Sequence, residues 1–440
     1  MNWLPGNRRR LAALSEEFGR RLGGRWPDPV TGSLIGLEHE YLVRRHSDGR
    51  RVNFAQLVHR LAPSQARLEP ANPGAYWLPS GTILSADETE AELALPPTAT
   101  RPGFAGWLSH RVAEAQNWLA ASLPSDFYLG EGVSTHLSVS APDDLLDRVC
   151  EAYARSWAAA LMLLLDDRSS PGVLIRPRPG RAELCGEFAR GTDLHAAALF
   201  ALGSVLACFA GVKAGASPLS PLRLAVRHAD QRFGWFVERG SGGSDLYVDG
   251  RRALLMTVDG RIRTAGEHLE AAWLLARPHL ASHAGRTDLE LVDRLVDGRL
   301  PLRVERTPNV ATDEPAGTDL TSGHMDQNAY GRALLARYRK DFDMAPVMLT
   351  WHLAVFVIAA HDSGRRAFAA VPGRVLGRFL RRLDGGLLDG PITGYLRLRS
   401  ARRVLANPAQ ASRAGLFDAI LMRPALLPAE RSVVNPGAAA

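Results

Sequence analysis

The stretch SLIGLEHEYLV, residues 33–43, sets Glu38, His39 and Glu40 inside an otherwise apolar run. Side chains of a strand alternate between two faces. Glu38 and Glu40 therefore share one face, and Leu37, His39 and Tyr41 share the other. Buried carboxylates are costly unless something neutralises them. One face of this strand must pack on a core while the other lines a charged site. Three later segments repeat the design. ETEAELALPP (88–97) sets Glu90, Glu92 and Ala94 against Ala91, Leu93 and Leu95, and Pro96 and Pro97 end it. VSTHLSVSAPDD (133–144) sets Ser134, His136, Ser138 and Ser140 against Thr135, Leu137 and Val139. GVLIRPRPGRAELCGEFARGTDLH (172–195) reads as two strands around a Pro/Gly turn, with Arg181, Glu183, Cys185 and Glu187 on the polar face. One apolar face and one polar face indicate an antiparallel sheet covered on one side.

Helical spacing fills the intervals. Residues 7–22 read as an N-terminal helix, and 103–122 as a helix through Phe104, Trp107, Leu108, Val112, Ala115 and Leu119. Asp143 or Asp144 caps a helix running to about Leu165, and Thr192 or Asp193 caps a long apolar one. Residues 264–299 are again helical in pattern. Two apolar runs, 196–212 and 346–360, fall at or below the length needed to span a bilayer and are read as buried core helices. The expected organisation is an N-terminal helix (1–32), a catalytic domain (33–305), a linker or long loop (306–324) and a mostly helical C-terminal region (325–440) with a disordered tail.

The net charge of +7 comes almost wholly from scattered arginines, since Lys213 and Lys340 are the only lysines. No basic block interleaved with aromatics exists, so nucleic acid is not the expected partner. Three cysteines, Cys150, Cys185 and Cys208, show no metal or disulfide spacing, which fits a reducing, cytoplasmic setting. No signal-peptide pattern opens the chain.

If the polar faces belong to one sheet, they line it with carboxylates. Such a cluster stays protonated unless a cation neutralises it, and an oxygen-rich site suits Mg²⁺ or Mn²⁺. Arg176 and Arg178 stand nearby to meet a phosphate or the charge developing in phosphoryl transfer. GxxxxGK[ST], GxGxxG after a strand, GxSxG and HExxH are all absent. A nucleotide would be held through metal and arginines on the sheet.

IGLEHE, AELALPP, THLSVSAPD and IRPRPGRAELC resemble, in order, four strand motifs of the glutamate–cysteine ligase and carboxylate–amine ligase families of the glutamine synthetase superfamily, over about residues 33–305. The resemblance implies an α+β fold: an antiparallel sheet with helices on one face and a concave site for ATP and Mg²⁺. It implies a reaction in which a small-molecule carboxylate takes the γ-phosphate and an amine then displaces phosphate to form an amide. Carried onto this chain, Glu38, Glu40, Glu92 and Glu183 are metal ligands, and His136 lies beside a metal or the nucleotide. Arg176 meets phosphate, and Arg232 or Arg239 takes a later arginine role. Two positions depart from the pattern. Ser138 replaces the family's second His and Cys185 its Arg, so Arg181 or Arg178 would rebuild the lost contact. An amide hydrolase or phosphotransferase on the same fold, or a binding protein with a decayed site, stays open as an alternative. So does assembly into a homo-oligomer.

Overall fold

The computed structural model describes residues 33–306 and 336–398, except 62–66, 70–71, 79–81, 179, 216, 230–233, 242–243, 350–352 and 363–365. The helix expected at 7–22, nearly all of the linker and the C-terminal tail lie outside the described residues.

The alternating segments pair as their patterns require. Eleven strands form one antiparallel sheet. They are β1 (Leu34–Arg45), β2 (Arg67–Glu69), β3 (Asn72–Trp77), β4 (Ile83–Asp87), β5 (Glu90–Ala94), β6 (Thr98–Ala99), β7 (Phe127–Ser140), β8 (Gly172–Arg178), β9 (Arg181–Glu187), β10 (Val226–Ala229) and β11 (Gly234–Glu238). Their order is β10-β11-β8-β9-β7-β1-β5-β4-β3-β2, with β6 also beside β1. The two longest strands, β1 and β7, lie side by side near the middle.

Helices cover the apolar face. α1 (Phe104–Ser122), α2 (Leu146–Ser156), α3 (Ala158–Leu165) and α4 (Gly191–Ala214) pack against the central strands. Leu37, Tyr41, Leu93, Leu137, Ile175 and Leu184 are fully buried there. The helix expected from 143 to 165 is interrupted at the buried Trp157, which separates α2 from α3. α4 is long and apolar enough to cross a membrane, yet 78% of its apolar window is buried within the protein, as in a core helix. Gly215, at φ +81°, ends it by donating its N–H to the carbonyls of Gly211 and Val212. A capping box between Thr264 and Glu267 starts α5 (Ala265–Ala276). His195 on α4 meets Asp288 of α6 (Arg286–Val296) at 2.9 Å, tying the outer helix to the core. Two small hairpins, β12–β13 (Gly240–Ser241 with Ser244–Asp245) and β14–β15 (Leu254–Met256 with Ile262–Thr264), lie between the sheet and α5 in sequence.

The C-terminal region corrects the helical expectation. β16 (Arg337–Tyr338), β17 (Phe342–Leu349), β18 (Leu353–Ala360) and β19 (Arg366–Pro372) form a second antiparallel sheet. The run 346–360 is thus the end of one strand and the whole of the next, not a core helix. Successive residues Phe342, Asp343, Met344 and Ala345 are all buried, so both faces of β17 are covered. A strand buried on both faces loses its two-residue alternation and reads like a buried helix. Only α7 (Gly373–Asp384) and α8 (Asp389–Leu398) are helical among the described residues here. α7 packs Leu376, Phe379, Leu380 and Leu383 inward, with Phe379 6.0 Å from Phe356 of β18.

Candidate active site

Strand register brings five polar faces to one place. Glu38 stands opposite His136, and Glu40 stands between Glu92 and Ser134. Ser138 faces Glu183, and Glu183 faces Arg176. The intervening residues point to the helices. His39 is buried there, with its Nδ1 3.1 Å from the Tyr41 hydroxyl and its ring 4.7 Å from Phe188.

His136 is the hub. Its Nδ1 lies 3.5 Å from Glu38 Oε2 and its Nε2 3.7 Å from Glu40 Oε1, with Ser134 Oγ at 3.2 Å. Burial alone would lower its pKa. The Glu38 and Glu40 carboxylates outweigh that and push it up to about 9. Two sets of ligand atoms, each within 4.8 Å of one another, meet around it: Glu38, His136 and Glu183, and Glu40, Asp87 and Glu92.

The two sets differ in how their charge is met. Glu183 is almost fully buried, and its carboxylate faces Arg176 at 2.5 Å, Arg178 at 3.0 Å and Arg181 at 3.8 Å. Burial raises its pKa, but Arg176, His136 and the other arginines win and hold it below the usual carboxylate range. Among the described residues no arginine pairs with Glu92. Burial, then the charge of Glu38, pushes it up to about 8, although Ser85 donates a hydrogen bond of 3.1 Å. Glu40 is likewise raised by burial, with His136 opposing. The Glu40–Asp87–Glu92 set is therefore short of positive charge. Its all-oxygen donors fit a hard cation such as Mg²⁺ or Mn²⁺.

Glu40, Asp87, Ser134, His136, Arg176 and Arg178 line a groove of about 1060 Å³ on the polar face. Its charge is divided. Glu40, Asp87, Glu88 and Glu90 stand at one end, and Arg176, Arg178, Arg227 and Phe236 at the other. The backbone N–H of Glu187, also on the wall, donates to Asp166 Oδ1 at 2.9 Å. Tyr247 donates its hydroxyl proton to the same buried carboxylate, whose pKa burial pushes up to about 7.

Other residues singled out in the sequence fall in different places. Ser138 lies beneath Arg181, whose Nε donates to its hydroxyl at 3.2 Å, so it supports that arginine rather than facing the groove. Cys185 sits in the groove wall, and burial and Glu183 drive its pKa well above the ordinary thiol value, so it stays protonated. Glu90 pairs with Arg51 at the rim. Arg239 is spent on Asp245 and on the carbonyls of Arg168 and Ser170, and Arg232 lies outside the described residues. Sequence reasoning missed Asp87. It ends β4 one residue before the segment read as a strand, and only the β4–β5 pairing carries it beside Glu92.

No family model matches the chain, and no curated protein matches it. Among solved structures it is similar to the crystal structure of the complex between the prokaryotic ubiquitin-like protein Pup and its ligase PafA. The identity is 14% and the TM-score 0.34, with 63% of this chain covered. The chain spans 65% of the length of that chain, just under two thirds.

Proposed function

We propose that this chain is an ATP- and Mg²⁺-dependent ligase that joins a carboxylate to an amine through an acyl phosphate. The observation that carries the reading is the split groove. Two ligand sets, Glu38 with His136 and Glu183, and Glu40 with Asp87 and Glu92, stand toward one end, and the arginines gathered on Glu183 begin the other. That layout suits a metal-bound triphosphate, with charge of both signs at fixed places.

When bound, Mg²⁺ would neutralise the triphosphate and polarise its γ-phosphorus. Glu38 with Glu183, and Glu40 with Asp87 and Glu92, are the oxygen donors to hold it. Arg176 and Arg178 meet phosphate oxygens, and Arg181, braced on Ser138, keeps Glu183 charged and in place. In the first step an oxygen of the substrate carboxylate attacks the γ-phosphorus and the bond to ADP breaks. In the second the amine nitrogen attacks the acyl carbon, loses a proton and expels phosphate. The groove's volume, about 1060 Å³, lies at the upper end of ordinary ligand pockets, roughly 300–1,000 Å³.

The test is ADP release measured over a panel of amino acids and amines. Sustained ADP release should need both a carboxylate and an amine, and Glu38→Ala should cost roughly 100-fold or more. Full activity in Glu38→Ala would overturn the metal assignment. Amide turnover without ATP would instead support a hydrolase.

A further inference from the structure

We propose that the outward face of the β14–β15 ribbon is a self-association surface, on which a second copy of this chain packs its own ribbon about a two-fold axis. The surface is independent of the groove and of the reaction proposed there.

Apolar side chains left in water are concentrated at this ribbon. Seven large ones are exposed among the described residues, and four of them, Val248, Leu254, Val258 and Ile262, fall between positions 248 and 262. Scattered single residues of this kind are ordinary, whereas a concentration marks a contact surface. Register puts the strand residues on one face. Leu254, Leu255 and Met256 pair with Thr264, Arg263 and Ile262 in that order. Ala253, Leu255 and Thr257 point inward and are buried. By alternation Leu254 and Met256 point outward with Ile262, which stands directly opposite Met256. Val258 lies two residues on, in the turn that joins the strands. A ribbon with one side on the core and the other in water should be polar on its outer side. This one is apolar on both.

The outward residues are not what holds the ribbon. Leu255 anchors it from the inner side. Thr257 donates its backbone N–H to the Arg261 carbonyl at 2.8 Å, and Arg223 and Val258 donate theirs to Met256 and Pro221 at 2.7 and 3.0 Å. The face is therefore formed before any partner arrives, which lowers the ordering cost of association. The charges around it select the partner. A nucleic acid, a membrane or an acidic peptide would call for cations alone. Here exposed Arg252 and Arg261 stand with exposed Asp259, Glu267 and Glu270. Arg261 is already matched by Asp259 at 2.7 Å. Arg252 and Glu270, of opposite sign, have no ion-pair partner among the described residues. Across a two-fold axis each copy meets the same patch it presents. Such a contact needs an apolar centre that packs on itself and a rim carrying both signs, and the ribbon supplies the two together.

Sedimentation velocity of the full chain, from about 1 to about 100 µM, is the test. A species of twice the monomer mass should grow with concentration. Ile262→Lys should weaken the dimer about tenfold or more without lowering the melting temperature, and Leu254→Lys should repeat that effect from the other strand. Leu387→Lys, at an equally exposed apolar residue of the C-terminal region, should leave the dimer intact and so separates this face from a general loss of surface apolarity. A wild type that stays monomeric throughout leaves the face to some other protein and overturns the proposal. So does a dimer that both ribbon variants leave unchanged, or one that Leu387→Lys weakens as much as they do.

Discussion

At the residue scale the site turns on which charges are matched inside the protein and which are not. Glu183 has three arginines; Glu92 has none among the described residues and is raised to about 8, and His136 is raised to about 9. Both raised groups bind their protons more tightly folded than unfolded. Their contribution to stability is complete below the unfolded values, near 4.5 for Glu92 and 6.5 for His136, and is lost as pH rises through about 8 and 9. A metal ion needs the same groups deprotonated. The metal-free protein should therefore lose melting temperature between about pH 6 and about pH 9, and Mg²⁺ should raise it more at the upper pH. Thermal scans with EDTA and with Mg²⁺ would show this. An Mg²⁺ gain that is equal at both pH values would contradict the assignment. The pairing of Glu38 with Glu40 was legible in the sequence, because two-residue alternation alone puts them on one face. Asp87 was not, since an exposed acid at a hairpin end carries no pattern that separates a ligand from a solvated charge. Nor could spacing show that Ser138 would be covered by Arg181.

At the element scale, segments with one wet face were readable and segments buried on both were not. β1, β5, β7 and β9 each advertise their site face by alternation. β17 and β18 do not, and their apolar run looked like a helix because burial on both sides erases the period. Helix ends with side-chain or glycine caps, at Thr264 and Gly215, left local signals. The break at Trp157 left none, since α2 and α3 are continuous in helical propensity and the interruption is a single buried residue. β8 contains the most specific backbone requirement at the site. Gly172→Ala adds a Cβ at φ +146° against the Val237 carbonyl and the Phe236 ring. It should destabilise the protein by about 1–3 kcal/mol, seen as a lower urea midpoint with an unchanged slope. An unaltered midpoint would mean that the close approach of β8 and β11 is not as described.

At the scale of the whole molecule, function depends on pairing between strands far apart in the chain. β1 and β9 are separated by more than a hundred residues, yet β7 bridges them so that Glu38, His136 and Glu183 meet. The sequence could show that each polar face exists. It could not show their order across the sheet, which is what divides the groove into an acidic end and an arginine–aromatic end. That order is set by which apolar faces the helices can cover together, a property of the assembled core. The central claim is that the acidic end holds two divalent cations, one on Glu38, His136 and Glu183 and one on Glu40, Asp87 and Glu92. Electron paramagnetic resonance of Mn²⁺ titrated into the full chain tests it most directly. The account predicts two tightly bound ions per chain, with one lost in Glu38→Gln and one in Glu92→Gln. A chain that binds no Mn²⁺, or that keeps both ions in the Glu38→Gln, Glu92→Gln double variant, would contradict it.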